Sequence, residues 1–190
     1  MKKLLLLAAL VLTACGSSDS KVSDITTYEE CIEAKGEIRY NEPHECWIFG
    51  DKFYENKPRA KFIDYGPATG YHASPVGGGP YKAVVLVHAK WGLENDVWVE
   101  AREFAKEGYV VLAVDLFDGV KPQGIDEAFK EKTKVSEDLD TAFENIAAAA
   151  KWLSLQYNTT EDPIAITGGS FGDAWDERIA NNELGLILFE

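Results

Sequence analysis

The chain has 190 residues, of which 46% are hydrophobic and 12% aromatic, so it can bury one domain-sized core and is not disordered in composition. It carries 32 acidic and 19 basic residues, for a formal charge of −13. Nucleic-acid binding requires clustered lysines and arginines that neutralise phosphates, so this balance disfavours a nucleic-acid partner. Three cysteines are too few for a disulfide-rich scaffold.

The first twenty residues have the pattern of a bacterial export signal. Two lysines precede an apolar run at 4–12, which is too short to cross a bilayer as a helix. The sequence LTAC at 12–15 resembles the lipobox of bacterial lipoproteins, in which the cysteine is lipidated and begins the mature protein. A plain secretory signal with an incidental cysteine is the alternative. We expect residues 1–14 to be a signal peptide and Cys15 to anchor the protein in a membrane of the cell envelope (the periplasmic face of the outer membrane in a Gram-negative cell).

A tether at 15–25 and a small two-cysteine module at 26–58 are predicted next. Cys15 accounts for the odd cysteine, and exported proteins meet an oxidising environment, so Cys31 and Cys46 are expected to form a disulfide. Closing a loop of this size contributes about 3 kcal/mol in the chain-entropy model. The pattern also predicts a short helix at 27–34 and a hairpin around 46–49. A metal site of Cys31, His44 and Cys46 is the alternative, but it would have only three ligands.

Residues 59–190 alternate between apolar strands and amphipathic helices. Strands are predicted at 61–65, 70–73, 83–87, 110–114, 164–167 and 184–189, and helices at 96–107, 135–153 and 171–181. The continuous runs at 83–87 and 110–114 are typical of strands buried on both faces. The order indicates an α/β fold with a mostly parallel sheet and helices on both faces. Functional residues are then expected after Val87, Val114 and Thr167, where the strands end.

One of these strand ends carries a catalytic motif. The sequence GGSFG at 168–172 fits G-x-S-x-G between a predicted strand and a predicted helix. Gly168 and Gly172 allow the sharp turn that exposes Ser170 at a helix N-terminus, where backbone N–H groups favour a developing negative charge. A glycine-rich turn without chemistry is the alternative.

The segment from about 60 to 190 resembles the dienelactone hydrolase family of the α/β-hydrolase superfamily. The resemblance is carried by GYHA at 70–73, AVVLVH at 83–88, WGL at 91–93, FAKEGYVVLAVDL at 104–116 and the turn at 168–172. It implies hydrolysis of a small-molecule ester or lactone through an acyl-enzyme on Ser170, without a cofactor or metal. It also implies an oxyanion hole made by the backbone N–H groups of Lys90 and Phe171.

Several positions depart from the family pattern. Ser170 stands where the family usually has a cysteine. Ala89 stands where the family commonly has a glutamate that controls the protonation of that thiol. The two changes are consistent with each other, because a serine does not need such a glutamate. Asp173 occupies a position that is usually a small glycine. No arginine lies between Glu103 and Glu177, so a carboxylated lactone is not supported as the substrate.

The largest departure concerns histidine. In this fold the acid and the histidine of the triad follow the serine, whereas His44, His72 and His88 all precede Ser170. We expect His88 to brace the oxyanion loop, His72 to be a surface or packing residue, and Asp115 to cap a turn. The chain is therefore interpreted as the N-terminal part of a longer hydrolase, incomplete at its C-terminus and inactive by itself. The alternative is a non-catalytic surface lipoprotein whose Cys31–Cys46 module mediates binding.

Overall fold

The structure is a computed structural model that describes residues 25–26, 28–39, 44–55, 57–156 and 158–189. The predicted signal peptide, the lipidation site Cys15 and nearly all of the tether lie outside these residues. Within the described part of the chain, no helix is long and apolar enough to cross a membrane.

A short helix and a three-stranded antiparallel sheet form the N-terminal module. Its elements are α1 (Tyr28–Glu33), β1 (Glu37–Arg39), β2 (Glu45–Ile48) and β3 (Asp51–Tyr54), with sheet order β1-β2-β3. The predicted disulfide between Cys31 and Cys46 is confirmed, and both cysteines are fully buried. Since the disulfide uses both sulfurs, the alternative metal site through these cysteines is wrong. A methyl group at Gly36 would clash with both sulfurs, so a glycine is needed where the chain passes the disulfide.

The larger part of the protein is a six-stranded mixed sheet with helices on both faces, as the sequence predicts. Its strands are β4 (Arg59–Asp64), β5 (Thr69–Ser74), β6 (Lys82–Val87), β7 (Tyr109–Val114), β8 (Ala165–Gly168) and β9 (Ile187–Leu188), and its helices are α2 (Asn95–Lys106), α3 (Ile125–Glu137), α4 (Leu139–Ser154) and α5 (Asp173–Ala180). The strand order is β4-β5-β7-β6-β8-β9. The four strands from β6 to β9 run parallel, whereas β4 and β5 are antiparallel to their neighbours.

Two apolar cores cover the two faces of this sheet. Alternate side chains of the central strands β6 and β7 point to opposite faces, because successive residues of a strand alternate in direction. One set packs against α2 and includes Val84, Leu86, Val111 and Ala113. The other packs against α4 and α5 and includes Val85, Val87, Leu112 and Val114. Burial on both faces explains why the runs at 83–87 and 110–114 contain no polar residue.

The predicted long helix over 135–153 is wrong in two respects, because the helical region begins ten residues earlier, at Ile125, and because the chain breaks at Asp138. This residue leaves the helical region (φ −133°, ψ 67°) and begins α4, and its carboxylate accepts hydrogen bonds from the N–H and hydroxyl of Thr141 (3.2 and 2.9 Å). Val135 and Leu139 on either side still pack against the same core. The apolar spacing therefore continues through the break and hides it in the sequence.

The C-terminal elements are shorter than the sequence predicts. Helix α5 begins at Asp173 rather than at residue 171, and β9 has two residues instead of the six expected at 184–189. A turn with positive φ at Asn182 (54°) and Gly185 (65°) occupies part of the expected strand. Leu184 and Leu186 pack against the core from this turn.

Candidate active site

Two neighbouring strands bring the candidate catalytic loops together. Strands β6 and β8 are parallel partners, and their last residues, Val87 and Gly168, are in register. The N–H of Gly169 donates a hydrogen bond to the carbonyl of Val87 (2.9 Å). A methyl group at Gly169 would clash with the carbonyl oxygen of His88. The loop that carries Ser170 therefore lies in backbone contact with the loop that follows β6.

Ser170 lies in the connection between β8 and α5 and is exposed. Its hydroxyl oxygen is 3.5 Å from the N–H of Gly172. The positive φ angles of this turn belong to Gly168 (110°) and Gly172 (117°), and Ser170 itself is not in the left-handed region. The two glycines thus supply the backbone freedom that the turn requires. At Gly168 space is also restricted, since a methyl group there would clash with the backbone of Val87.

The residue after the serine is held from several sides. The ring of Phe171 is buried and contacts the rings of Trp175 and His88 at centroid distances of 4.9 and 6.1 Å. The hydroxyl of Ser136, near the end of α3, donates a hydrogen bond to the carbonyl of Phe171. Neither Ser136 nor the packing role of Gly169 was identified from the sequence. A single helix serine gives no signal, whereas the doubled glycine at 168–169 could have indicated a close backbone contact.

Lys90 lies in the turn that follows β6. The N–H of Gly92 bonds to the carbonyl of Ala89 (3.2 Å), and the Lys90 ammonium lies 5.4 Å from the centre of the Trp91 ring. Gly92 has φ 80°, and a methyl group there would lie 2.8 Å from the carbonyl oxygen of Val120. The backbone N–H groups of Lys90 and Phe171, the two predicted oxyanion donors, have no acceptor among the residues that the structure describes.

His88 connects two strand-end loops. Its side chain is buried, its Nδ1 lies 2.7 Å from the carbonyl of Ala89, and its Nε2 accepts a hydrogen bond from the N–H of Leu116 (3.0 Å). Because Nε2 accepts, Nδ1 carries the proton and donates to Ala89, so the ring is neutral. Burial lowers the pKa of His88, and this effect outweighs the opposing influences of the Ala89 carbonyl and of Asp115. With both ring nitrogens used in this way, His88 has none left for Ser170.

The other sequence candidates lie elsewhere. The carboxylate of Asp115 accepts hydrogen bonds from the N–H groups of Phe117 and Gly119 (2.9 and 2.8 Å), which is a turn-capping arrangement. His72 lies on β5 with its ring against Trp152 (5.1 Å), and His44 pairs with Glu55 in the N-terminal module (3.1 Å). No hydrogen bond joins any of the three histidines to Ser170.

A cavity of about 180 Å³ opens beside the turn. Its walls are the end of β8, the inner face of α5 and the backbone of the glycine pair, formed by Val87, Ile166, Thr167, Gly168, Gly169, Trp175 and Ile179. The lining combines apolar side chains with Thr167 and the backbone of two glycines, and the space has room for a small acyl or alkyl group. Among the described residues, no group of three or more histidine, cysteine, aspartate or glutamate side chains is placed to hold a metal ion.

Comparison with known proteins identifies the family. The sequence model of the dienelactone hydrolase family matches residues 68–182, which is more than half of the chain and includes both strand-end loops. The chain belongs to the dienelactone hydrolase family. A curated relative, Protein usf of Aquifex pyrophilus, is 31% identical over 103 residues, which cover 52% of this chain and 44% of that protein. The chain thus spans less than half the length of this relative.

Solved structures show the same fold. The solved structure of m3DLH has a TM-score of 0.50 at 26% identity and is matched over 61% of this chain and 50% of that one. The dienelactone hydrolase-like promiscuous phosphotriesterase P91, from metagenomic libraries, has a TM-score of 0.56 at 21% identity, over 68% of this chain and 55% of that one. At this identity, the second similarity concerns the fold alone.

Proposed function

We propose that this member of the family is a hydrolase of small carboxylic esters or lactones with Ser170 as its nucleophile. The observation that carries the proposal is the backbone contact between Gly169 and His88. It sets the loops of Lys90 and Phe171, whose N–H groups have no acceptor among the described residues, next to an exposed serine. Family membership supports the same reaction class.

The proposed reaction has two steps. In the first, the Ser170 oxygen attacks the carbonyl carbon and its proton passes to a base. The bond to the alcohol oxygen then breaks, and the alcohol leaves with a proton, which gives an acyl-enzyme. In the second step, water attacks the acyl group and releases the acid and the free serine. The N–H groups of Lys90 and Phe171 would stabilise the negative oxygen that forms in both steps.

The base is not supplied by any histidine that precedes Ser170. His88 uses both ring nitrogens in hydrogen bonds, while His44 and His72 lie in other contacts. A serine without its base keeps only the acceleration that binding and oxyanion stabilisation provide, roughly 10³- to 10⁴-fold over water. We therefore propose that the 190-residue chain by itself hydrolyses esters slowly.

Charge near the site favours an uncharged substrate. Asp173 and Asp176 occupy the first turn of α5, directly after the turn that carries Ser170. The nearest arginine that follows the serine, Arg178, is already paired with Asp140 and Glu183 (2.8 and 2.7 Å). A carboxylate on the substrate would meet these like charges, and Arg178 is not available to bind it, which agrees with the expectation from the sequence that carboxylated lactones are not supported as substrates.

We also propose that the protein is attached to a membrane of the cell envelope by lipid on Cys15. The support comes from the sequence, in which a basic start and an apolar run precede LTAC at 12–15. An acidic protein would be repelled by anionic lipid, so the acyl chains would have to hold it there.

A fluorophosphonate probe tests the role of Ser170, because it reacts with activated serines. Slow labelling is expected for the wild type and none for Ser170→Ala, whereas Ser154→Ala, which removes an exposed serine of α4, should label like the wild type. Added imidazole should accelerate the wild-type reaction because it supplies the missing base. Labelling that persists in Ser170→Ala would contradict the proposal.

A non-catalytic lipoprotein is the second candidate, with the disulfide-closed module as its binding part. The observation that favours it is that Ser170 does not have a positive φ, whereas the serine of a nucleophile elbow normally sits in a strained turn. Folded protein that neither labels nor hydrolyses p-nitrophenyl acetate, even with imidazole, would support this candidate.

A further inference from the structure

The hairpin of the N-terminal module has an unusual residue at its tip. Strands β2 and β3 are joined by the two-residue turn Phe49–Gly50, whose φ angles are 52° and 94°. Such turns strongly favour Asn-Gly, because both residues must adopt the left-handed conformation. The other described non-glycine residues with positive φ are Lys35, Asp118 and Asn182, all of them polar. A bulky phenylalanine is disfavoured in this conformation.

The side chain of Phe49 also gains nothing from burial, since it is 70% exposed. Cys46 and Ile48, its neighbours on β2, belong to the core of the module, so the strand itself is well packed. The chain therefore places a large apolar ring in water at a position where asparagine would fit the backbone better. Folding does not explain this choice, and an external apolar contact would.

The outer face of β2 continues this aromatic character. The ring of Trp47 lies against the Arg39 guanidinium and near the Lys52 ammonium, at 4.5 and 5.3 Å, and its Nε1–H donates to Glu45 (2.9 Å). The two cations also contact carboxylates, Arg39 that of Glu37 (3.1 Å) and Lys52 that of Glu45 (3.6 Å). Both cations are thus paired, and the exposed Asp51 directly after the turn adds a carboxylate, so this end of the module is aromatic and has no excess positive charge.

We propose that Phe49 inserts into the lipid bilayer to which the protein is anchored and fixes the module against its surface. The proposal rests on the proposed lipid attachment at Cys15. Nine residues lie between Cys15 and Ile25, where the described chain begins, and this stretch reaches about 35 Å at most, so the module stays close to the bilayer. Trp47, with an apolar ring and a satisfied N–H, suits the interface between lipid and water. Because this end has no excess positive charge, insertion is expected into uncharged phosphatidylcholine, without help from salt-sensitive attraction.

One inserted phenylalanine contributes little membrane affinity by itself. Its contribution becomes measurable when an acyl chain already holds the protein weakly at the membrane, because insertion of the ring is then an intramolecular step. An acyl chain can be attached chemically at Cys15, since Cys31 and Cys46 form a disulfide and Cys15 is the remaining one of the three cysteines in the sequence. The mature protein, residues 15–190, is alkylated at Cys15 with one 14-carbon chain, which by itself binds membranes marginally, with a constant of roughly 10⁴ M⁻¹. Its partition onto phosphatidylcholine vesicles is measured by sedimentation.

The wild-type conjugate is expected to bind the vesicles up to about tenfold more tightly than the Phe49→Asn conjugate. Asparagine suits the turn, so this variant should fold at least as well as the wild type. Leu155→Ala, which removes a side chain that is 74% exposed at the end of α4, should bind like the wild type. The advantage of Phe49 should persist at about 0.5 M salt.

Equal binding of wild type and Phe49→Asn would overturn the proposal, and so would an advantage that salt abolishes. Because the acyl chain is attached chemically, the experiment does not depend on whether cells lipidate Cys15. Incorporation of a labelled fatty acid in cells, compared with Cys15→Ala, tests that attachment separately.

Discussion

The ring of His88 and the N–H of Leu116 join the loops that follow β6 and β7, through a hydrogen bond of 3.0 Å in which the ring nitrogen accepts. The same ring donates to Ala89 (2.7 Å) and packs edge-on against Phe117 at 4.5 Å. The bonded partners are backbone groups, so the ring orients the loop of Lys90 whatever the side chains of its partners are.

Replacing His88 by alanine should destabilise the protein by about 3 kcal/mol. The change leaves a cavity in the core and removes the partners of two backbone groups, and each effect costs on the order of 1–3 kcal/mol. Urea denaturation measures the loss. His44→Ala provides the control, because its pair with Glu55 is at the surface and such pairs contribute about 0–1 kcal/mol. A similar loss in both variants would contradict the bracing role of His88.

Gly168→Ala should destabilise the protein much more than Gly172→Ala, although both glycines have φ near 115°. The backbone strain is shared and costs about 1–2 kcal/mol. At Gly168 the new methyl group would also clash with the backbone of Val87, whereas nothing lies within 4 Å of it at Gly172. We expect Gly172→Ala to fold with a loss of about 1–2 kcal/mol and Gly168→Ala to lose at least twice as much. Thermal unfolding of both proteins checks the order, and equal midpoints would show that the strands do not approach as described.

His72 should make the protein sensitive to mild acid. Desolvation and the nearby Lys61 lower its pKa to about 4. A lowered pKa means that the folded state resists protonation, so the contribution is complete above about pH 6.5 and is lost as the pH falls from 6.5 towards 4. Because the ring is partly solvated, we expect a loss of about 1–2 kcal/mol rather than the full linkage value.

The contribution of His72 is measured as the difference between wild type and His72→Phe in unfolding free energy at pH 7.5 and at pH 4.5. Phenylalanine does not titrate and can keep the edge contact with Trp152. The wild type should lose more stability than the variant on acidification. Parallel losses would assign the acid sensitivity to other groups, including His88.

The break between α3 and α4 depends on Asp138, whose carboxylate accepts hydrogen bonds from the N–H and the hydroxyl of Thr141. Asp138→Ala should cost about 1 kcal/mol, the usual contribution of a helix N-cap. Glu137→Ala, one residue earlier at the end of α3, also removes one negative charge but leaves the cap in place. Its loss of stability should be less than half that of Asp138→Ala. Chemical denaturation of the two variants tests this, and equal losses would indicate a charge effect only.

Local patterns in the sequence determined most of the elements. Continuous β-branched runs marked β6 and β7, since a strand covered on both faces has no polar side. Two cysteines that follow a predicted export signal predicted the Cys31–Cys46 disulfide. The glycine-flanked serine between a strand and a helix located the candidate nucleophile. The strands and the turn can be recognised because each depends on residues within a few positions of one another, and the two cysteines are the only candidates for a pair once Cys15 is assigned to the lipid.

Tertiary structure alone decided how distant segments meet. Val87 and Gly168 are 81 positions apart, and only the strand order makes them partners and presses Gly169 against His88. The break at Asp138 was hidden because Val135 and Leu139 serve one core across it. The neutral state of His88 and the exposure of Phe49 likewise depend on which groups surround them. The spacing of apolar residues indicates which side of a helix or strand faces a core. It does not indicate which other element supplies that core or where a helix or strand ends.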